Sequence, residues 1–208
     1  VLEQRLPLAG EMSVLVARGR DGQIVHLPPQ SNLHREGILA VTEVYEGKLP
    51  PALSDAALNA TKSIATGLDY VGVLCVEYFV LEDGTWVVNE MAPRPHNSGH
   101  YSMDACDVSQ FELQVRAMTG LPLVQPRQHS AAIMLNLLGD LWYHSGDVAQ
   151  TPPWDRVLAL PGTHLHLYGK TEARRGRKMG HLNVTGRDAA AVRATALRAA
   201  ELLGIEAF

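Results

Sequence analysis

Two apolar segments, residues 71–81 and 85–91, constrain the fold of this chain more than any other feature. Both are rich in the β-branched and aromatic residues that favour strands, and the Asp83-Gly84 between them is typical of a two-residue hairpin turn. In the register that this turn sets, Glu77 lies directly opposite Glu90. The sequence therefore predicts an antiparallel hairpin in which two carboxylates face each other.

The facing carboxylates predict a cation site. Cβ atoms directly opposite each other on paired strands are ~4.5–5.5 Å apart, a distance at which like charges repel. The predicted face also carries Phe79 and Val88. A shared proton or an arginine would relieve the repulsion, but Mg²⁺ is the hard cation that carboxylate oxygens prefer. The alternative is a longer turn, in which the register slips by one residue and either Glu77 or Glu90 faces solvent.

Length and composition exclude several classes of protein. The chain has 208 residues and a formal net charge of −4. It contains no apolar run of ~18 or more residues, so we expect neither a membrane partner nor, given the acidity, a nucleic-acid partner. No charged-then-apolar leader opens the chain, so no secretory signal is expected. Cys75 and Cys106 are far apart, which favours reduced thiols in a cytoplasmic protein.

Segments with strand and helix patterns alternate along the chain. Besides the hairpin, the predicted strands are residues 12–18, 24–27, 38–44, 131–138, 163–168 and 178–184. Helices are predicted from a cap at Ser54-Asp55, over residues 108–118, and from a cap at Asp188. Residues 28–37 are predicted to be a polar loop. This order predicts an α+β fold with two lobes, residues 1–120 and 121–208.

A polar segment, residues 92–100, directly follows the hairpin. Its prolines exclude regular structure, and it contains Arg94, His96, Asn97 and Ser98. Donors of these types form a cradle for a phosphate or a carboxylate. The segment is therefore a candidate substrate loop, and a polar surface loop without a ligand is the alternative.

A second basic segment, residues 170–181, contains four cations within five residues. Its glycines, Gly176 and Gly180, suggest backbone that lies close to a ligand. We therefore predict a phosphate-binding hairpin here, with a solvated charged turn as the alternative.

Together these segments resemble the ATP-grasp ligases, and within them the N5-carboxyaminoimidazole ribonucleotide synthases of purine synthesis. The resemblance covers essentially the whole chain, and its motifs keep their order. They are Glu3-Gln4, Gly10-Glu11-Met12-Ser13, Ala17-Arg18-Gly19, Asn32-Leu33-His34, Gly72-Val73, Asn89-Glu90-Met91-Ala92-Pro93-Arg94, His96-Asn97-Ser98-Gly99-His100, Ser109-Gln110-Phe111-Glu112 and Gly176-Arg177-Lys178-Met179-Gly180-His181-Leu182-Asn183.

The resemblance implies an ATP-grasp C-terminal subdomain, an antiparallel sheet with helices, followed by a small, mostly-β C-terminal domain. It also implies roles for individual residues. The implied nucleotide-binding residues are Glu3, Gln4, Arg5, Leu6, Glu11, His34, Asn89 and Glu90, with residues 3–6 as a hinge strand for adenine. The implied metal ligands are Glu77 and Glu90. The implied substrate-binding residues are Arg94, His96, Asn97, Ser98, Lys170, Arg177 and Lys178, of which Arg94, His96 and Lys178 are expected to be catalytic.

The implied reaction is an ATP-dependent carboxylation. In the family, ATP phosphorylates bicarbonate to carboxyphosphate, and the amine of 5-aminoimidazole ribonucleotide captures that species or the CO₂ it releases. The expected cofactors are ATP and Mg²⁺, with Mn²⁺ as the alternative ion. The expected partners are bicarbonate, 5-aminoimidazole ribonucleotide and a second copy of the chain in a homodimer.

The sequence departs from the family pattern at its beginning. Family members carry an N-terminal nucleotide-fold domain and a small grasp subdomain with phosphate-binding lysines and a glycine-rich flap before the hinge. This sequence begins at Val1, at the hinge and without an initiator methionine, so we expect the chain alone to be poorly active or inactive. Two alternatives stay open. One is another ATP-grasp enzyme, such as a formate-dependent transformylase or a biotin carboxylase, and the other is a non-catalytic nucleotide-binding or oligomerisation fragment.

Overall fold

The computed structural model describes residues 4–143 and 148–208 of the chain. Within these residues the strands are β1 (Leu8–Arg18), β2 (Ile24–His26), β3 (Gln30–Arg35), β4 (Ile38–Val44), β5 (Gly72–Leu81), β6 (Trp86–Ala92), β7 (Ala131–Leu138), β8 (Thr163–Leu167) and β9 (Lys178–Gly186). They pair antiparallel into one sheet, in the order β6-β5-β1-β3-β4-β7-β9-β8, and β2 pairs with β1. The predicted α+β class is confirmed.

The helices of the described residues are α1 (Pro51–Gly67), α2 (Ser102–Ala105), α3 (Gln110–Thr119), α4 (Trp154–Leu158) and α5 (Ala189–Leu203). Short 3-10 turns lie at Asn97–Gly99 and Gly139–Trp142. Over residues 4–143 and 148–208, no helix combines the length and the apolar character needed to cross a membrane.

The alternation of side chains along β1 places one helix on each face of the sheet. Met12 and Val14 point to one face and pack in a cluster with Ala57 of α1. Leu15 points to the other face and packs in a cluster with Leu113 of α3. Every second residue of β1 and of its neighbour β5 therefore faces the α3 side, where the polar site described below lies.

The C-terminal part of the sheet is covered by α5. The buried stripe of this helix, which includes Val192, Ala196 and Ala200, packs in one cluster with Ile133 of β7 and Val184 of β9. This stripe follows the helical spacing of the sequence. The predicted final helix is confirmed.

The predicted helix caps are right for α5 and wrong for α1. The Asp188 side chain accepts a hydrogen bond from the backbone N–H of Ala191 at 2.7 Å. The first helix begins at Pro51, ahead of the predicted Ser54-Asp55 cap, and Pro50 is its N-cap residue. Proline suits the first helical position, since its fixed φ is helical and its missing N–H has no partner there in any case.

Residues 28–37 contain strand β3, so the predicted polar loop is wrong. This strand pairs with both β1 and β4, and its buried side chains include Gln30 and Asn32. The Oε1 atom of Gln30 accepts a hydrogen bond from Ser13 Oγ at 2.9 Å, and Asn32 Oδ1 accepts one from Thr42 Oγ1 at 3.0 Å. Polar side chains can be buried when they are hydrogen-bonded, and such a strand has no hydrophobic alternation to reveal it.

The sheet continues across the predicted boundary near residue 120, because β4 pairs with β7. The division into lobes at residues 1–120 and 121–208 stays a prediction about domain organisation.

Candidate active site

The hairpin of β5 and β6 places Glu77 opposite Glu90, as the sequence predicts. Its turn is longer than the predicted Asp83-Gly84 pair. The N–H of Leu81 donates to the carbonyl of Thr85 at 2.8 Å, so residues 82–84 form the loop, and Gly84 has a φ of 82°. A three-residue loop with glycine in the left-handed region is the next common hairpin connection after the two-residue turns.

A β-bulge at Asn89 compensates for the longer turn. Next to the loop the register is shifted by one residue from the prediction, and Tyr78 pairs with Val88. The bulge then inserts Asn89 as an unpaired residue, which brings Glu77 and Glu90 back into register. The prediction that Val88 shares a face with Glu77 is therefore wrong, since Val88 lies opposite Tyr78.

Glu77 is a buried carboxylate whose hydrogen bonding is incomplete. Its side chain is 9% exposed, and among the described residues its Oε1 atom has no hydrogen-bond donor. The Nε2 atoms of His34 and His96 lie 3.8 Å and 3.7 Å from Oε1 of Glu77. Burial raises the pKa of the Glu77 carboxyl, the charge of Glu90 raises it further, and His34 lowers it. The charged form of Glu77 is thus costly unless a cation joins it.

Glu11 and His34 extend this charged cluster. Glu11 of β1 pairs with Phe79 of β5, and its carboxylate hydrogen-bonds Nδ1 of His34. Burial lowers the pKa of His34. The hydrogen bond to Glu11 and the charges of Glu11, Glu77 and Glu90 raise it by more, so that the pKa lies above its ordinary value. The two predicted nucleotide-binding residues Glu11 and His34 therefore lie beside the predicted metal ligands.

The donor set fits a hard divalent cation. One ligand atom each from Glu77, Glu90 and His96 lie within 4.8 Å of one another, the one such group found over residues 4–143 and 148–208. Two facing carboxylates, one of them with an oxygen that has no donor, match the oxygen ligands of Mg²⁺. The predicted residue types and their placement at the end of the hairpin are compatible with that ion.

The loop after β6 brings polar groups to the same place. His96 and Ser98 are buried, whereas Arg94 is exposed. The side-chain nitrogen of Asn97 is buried and has no acceptor among the described residues. Burial, followed by the charges of Arg94 and Lys178, lowers the pKa of His96 to about 4. The Nδ2 atom of Asn97 is thus a donor available to an anion, and Arg94 provides positive charge beside it.

Gln110 holds the loop in position, although no role was predicted for this residue. Its side-chain Oε1 accepts a hydrogen bond from the N–H of His96 at 2.8 Å, and its Nε2 donates to the carbonyl of His96 at 2.8 Å. The same nitrogen lies 2.9 Å from Nδ1 of His100. Gln110 is fully buried at the start of α3. The sequence signals at this position are the motif Ser109-Gln110-Phe111-Glu112, which belongs to the family resemblance, and the helix cap Ser109.

Lys178 connects the second basic segment to the site. Burial lowers its pKa, the charges of Arg94 and Lys170 act in the same direction, and the charges of Glu77 and Glu90 oppose the shift. The lysine at the start of β9 therefore lies within the electrostatic reach of the carboxylate pair. Arg177 lies next to it in sequence and donates from its guanidinium to a backbone carbonyl, that of Glu172, at 3.0 Å.

The glycines of this segment approach other parts of the backbone. A Cβ atom on Gly180 would lie 2.4 Å from the carbonyl oxygen of His166 on the neighbouring strand β8. The N–H of Gly176 donates to Oδ2 of Asp140 at 2.7 Å. The interpretation that both glycines bring backbone to a ligand is therefore wrong, because strand packing and a carboxylate occupy those positions.

The predicted adenine segment borders a separate cavity. Gln4, Arg5 and Leu6 line a cavity of about 510 Å³ together with Phe79 of β5 and other residues of the same region. These three residues precede β1 and are in no regular strand, so the expected hinge strand is not formed there. Glu3 lies outside the described residues.

Comparisons with known proteins assign the family. Residues 1–111 match the model of the ATP-grasp domain, and residues 132–195 match that of the phosphoribosylaminoimidazole carboxylase C-terminal domain. Since the first match covers more than half of the chain, the chain belongs to the ATP-grasp family. The expected ATP-grasp architecture is confirmed.

The particular relatives are N5-carboxyaminoimidazole ribonucleotide synthases. The chain is 44% identical to the Brucella melitensis synthase, over 88% of this chain and 48% of that protein. It is 41% identical to the Escherichia coli synthase, over 94% of this chain and 51% of that protein. The chain thus spans about half the length of the curated relatives it matches.

Solved structures of this group have the same fold. The Thermus thermophilus synthetase superimposes with a TM-score of 0.88 at 35% identity, over 99% of this chain and 54% of that one. The Aspergillus clavatus synthase, in complex with ADP and 5-aminoimidazole ribonucleotide, superimposes with a TM-score of 0.86 at 27% identity. This superposition covers 97% of this chain and 53% of the Aspergillus clavatus chain.

Proposed function

We propose that the protein containing this chain is an ATP-grasp ligase that carboxylates 5-aminoimidazole ribonucleotide with ATP and bicarbonate. The observation that carries the proposal is the Glu77–Glu90 pair, with a buried oxygen that has no donor among the described residues, beside the loop that holds Arg94 and His96. The names of the relatives support the same substrates.

The carboxylate cluster is the nucleotide and metal side of the proposed site. Glu77 and Glu90 would hold Mg²⁺ or Mn²⁺, which neutralises phosphate charge during phosphoryl transfer. Glu11, beside them, would accept hydrogen bonds from ribose hydroxyls through the lone pairs that His34 does not use. The cavity lined by Gln4, Arg5 and Leu6 would take the adenine base.

The polar loop and Lys178 form the substrate side. Arg94 and Lys178 offer positive charge to bicarbonate and to the carboxyphosphate formed from it. The buried donor of Asn97 and the imidazole of His96 orient the same anion. A half-buried lysine and a buried histidine also reduce the water near a labile anhydride. Lys170 and Arg177 complete the proposed phosphate contacts, with Ser98 next to His96.

The proposal includes a cytoplasmic homodimer. An exposed apolar stripe on α3, formed by Phe111, Val115 and Met118, supports contact with a second copy. Sedimentation of the protein at two concentrations tests this part.

ATP turnover tests the central proposal. In the protein that contains this chain, we expect phosphate release to require Mg²⁺ and 5-aminoimidazole ribonucleotide, and the carbamate to form when bicarbonate is present. Glu90→Gln should abolish turnover and keep the fold, since Glu90 is exposed and its replacement is isosteric. The exposed Glu46 provides the matched control, Glu46→Gln, which should keep full activity. Equal stimulation by formate, or near-normal rates in Glu90→Gln, would contradict the assignment.

A further inference from the structure

We propose that a buried chain of hydroxyls and amides fixes the tautomer of His96, so that its Nε2 atom carries the proton and faces the site. The positioning residues are Ser13 on β1 and Ser98 in the 3-10 turn after β6. What His96 does with this proton depends on the proposed function, whereas the tautomer itself does not.

The chain of hydrogen bonds runs from strand β4 to the imidazole. Thr42 Oγ1 donates to Asn32 Oδ1 at 3.0 Å, and Asn32 Nδ2 donates to Ser13 Oγ at 2.8 Å. Ser13 Oγ donates to Ser98 Oγ at 2.8 Å, and Ser98 Oγ lies 3.0 Å from Nδ1 of His96. The members are 0 to 8% exposed, so water does not compete for these contacts.

The direction of the chain follows from its first member. The threonine hydroxyl donates to the amide oxygen of Asn32, so the amide nitrogen faces Ser13 and must donate. Ser13 therefore accepts there and has its own proton for Ser98, shared with the carbonyl oxygen of Gln30 at 2.9 Å. When Ser98 accepts that proton, its own hydroxyl proton is directed to Nδ1 of His96 at 3.0 Å, which is nearer than its other contact, Cys75 Sγ at 3.9 Å.

A second donor acts on the same nitrogen. The backbone N–H of Ser98 points at Nδ1 of His96 at 3.4 Å, with His96 as the N-cap residue of the turn. Two donors that face Nδ1 require a lone pair on it, and in a neutral imidazole the proton then resides on Nε2. The same donors disfavour an imidazolium, which would place a third proton between them.

This tautomer changes what His96 offers to the site. The Nε2 atom lies 3.7 Å from Oε1 of Glu77, on the side of the ring away from Ser98. With a proton there, His96 is a hydrogen-bond donor to a carboxylate or to a bound anion. It is neither a cation ligand nor an acceptor for the substrate amine proton. The cation site therefore reduces to Glu77 and Glu90.

The test reads the two ring nitrogens directly. The chain is labelled with ¹⁵N-histidine, and long-range ¹H–¹⁵N correlations near neutral pH distinguish protonated from unprotonated ring nitrogens. The signals of His96 are those lost in His96→Asn. We expect Nε2 to be protonated in the wild type. Ser98→Ala and Ser13→Ala should move His96 measurably toward the other tautomer.

Ser102→Ala is the matched control. The Ser102 hydroxyl is also buried and donates to the carbonyl of Gly99 at 2.6 Å, but it makes no contact with His96. It should leave the His96 tautomer unchanged, which separates loss of the chain from a general loosening of the loop. In the turnover assay we expect Ser98→Ala to lower kcat about tenfold and to leave the KM for ATP within about twofold, because only the orientation of a donor changes.

The outcomes separate this inference from the proposed function. A proton on Nδ1 in the wild type overturns the inference, and so does an unchanged tautomer in both serine variants. If the tautomers are as predicted but the protein does not carboxylate 5-aminoimidazole ribonucleotide, the inference is supported and the proposed function is contradicted.

Discussion

Replacing Glu77 with glutamine should make the metal-free protein more stable. The carboxylate is buried, one of its oxygens has no donor among the described residues, and it faces Glu90. Glutamine keeps the shape and removes the charge that burial and Glu90 make costly. Since one unit of pKa shift corresponds to about 1.4 kcal/mol, we expect the free energy of unfolding to rise by about 1–2 kcal/mol at pH 7. For a chain of this size this equals a Tm increase of about 2–8 °C.

The pH dependence of that gain checks the electrostatic cause. The pKa of Glu77 is raised above its ordinary value of 4.5, so the folded wild type holds its proton to higher pH than the unfolded chain. Its folded state is therefore not penalised below pH 4.5 and loses stability as the pH rises through the raised pKa. The advantage of Glu77→Gln should be small at pH 4.5 and should grow toward pH 7.

Urea unfolding in EDTA at both pH values provides the measurement. Glu46→Gln serves as the control, because this side chain is exposed and its replacement should change stability by less than about 0.5 kcal/mol. The reasoning is refuted if Glu77→Gln is less stable than the wild type at pH 7, or if its gain is equal at the two pH values.

Two further predictions concern Gly180 and His181 of β9, together with His100, whose ring stacks on that of His181. Gly180→Ala should lower the free energy of unfolding by about 1–3 kcal/mol, since the new methyl group meets a backbone carbonyl at 2.4 Å. Gly10→Ala, with nothing within 4 Å, should change it little in the same urea titration. Burial lowers the pKa of His100 to about 4 and that of His181 to about 3, so stability should fall as the pH drops below 6.5. His181→Gln should reduce the dependence of the unfolding free energy on pH by up to about 1.4 kcal/mol per pH unit. An unchanged dependence in acid unfolding curves would contradict the lowered pKa of His181.

The carboxylate pair was predictable from the sequence, although for a partly wrong reason. The pairing of Glu77 with Glu90 followed from the assumption of a two-residue turn at Asp83-Gly84. The actual loop is one residue longer, and the bulge at Asn89 restores the pairing. Turn type and bulge position depend on packing against β1, and local turn preferences do not determine them.

The polar interior was not predictable from hydrophobic patterning. Strand β3 buries Gln30 and Asn32, and the loop after β6 depends on the buried Gln110. These polar residues do not belong to any apolar pattern in the sequence. Each is satisfied by partners that are distant in sequence, such as Ser13 and Thr42. Only the folded chain brings these partners together, so their roles emerge at the level of tertiary structure.

Binding of Mn²⁺ to the chain tests the central claim most directly. Electron paramagnetic resonance of free Mn²⁺ in a titration counts the ions bound, and Mn²⁺ stands in for Mg²⁺ at oxygen sites. We predict that the wild type and Glu46→Gln bind Mn²⁺, and that Glu77→Gln and Glu90→Gln each lose most of this binding. Equal binding by all four proteins would contradict the account, since it would mean that the facing carboxylates do not hold the cation.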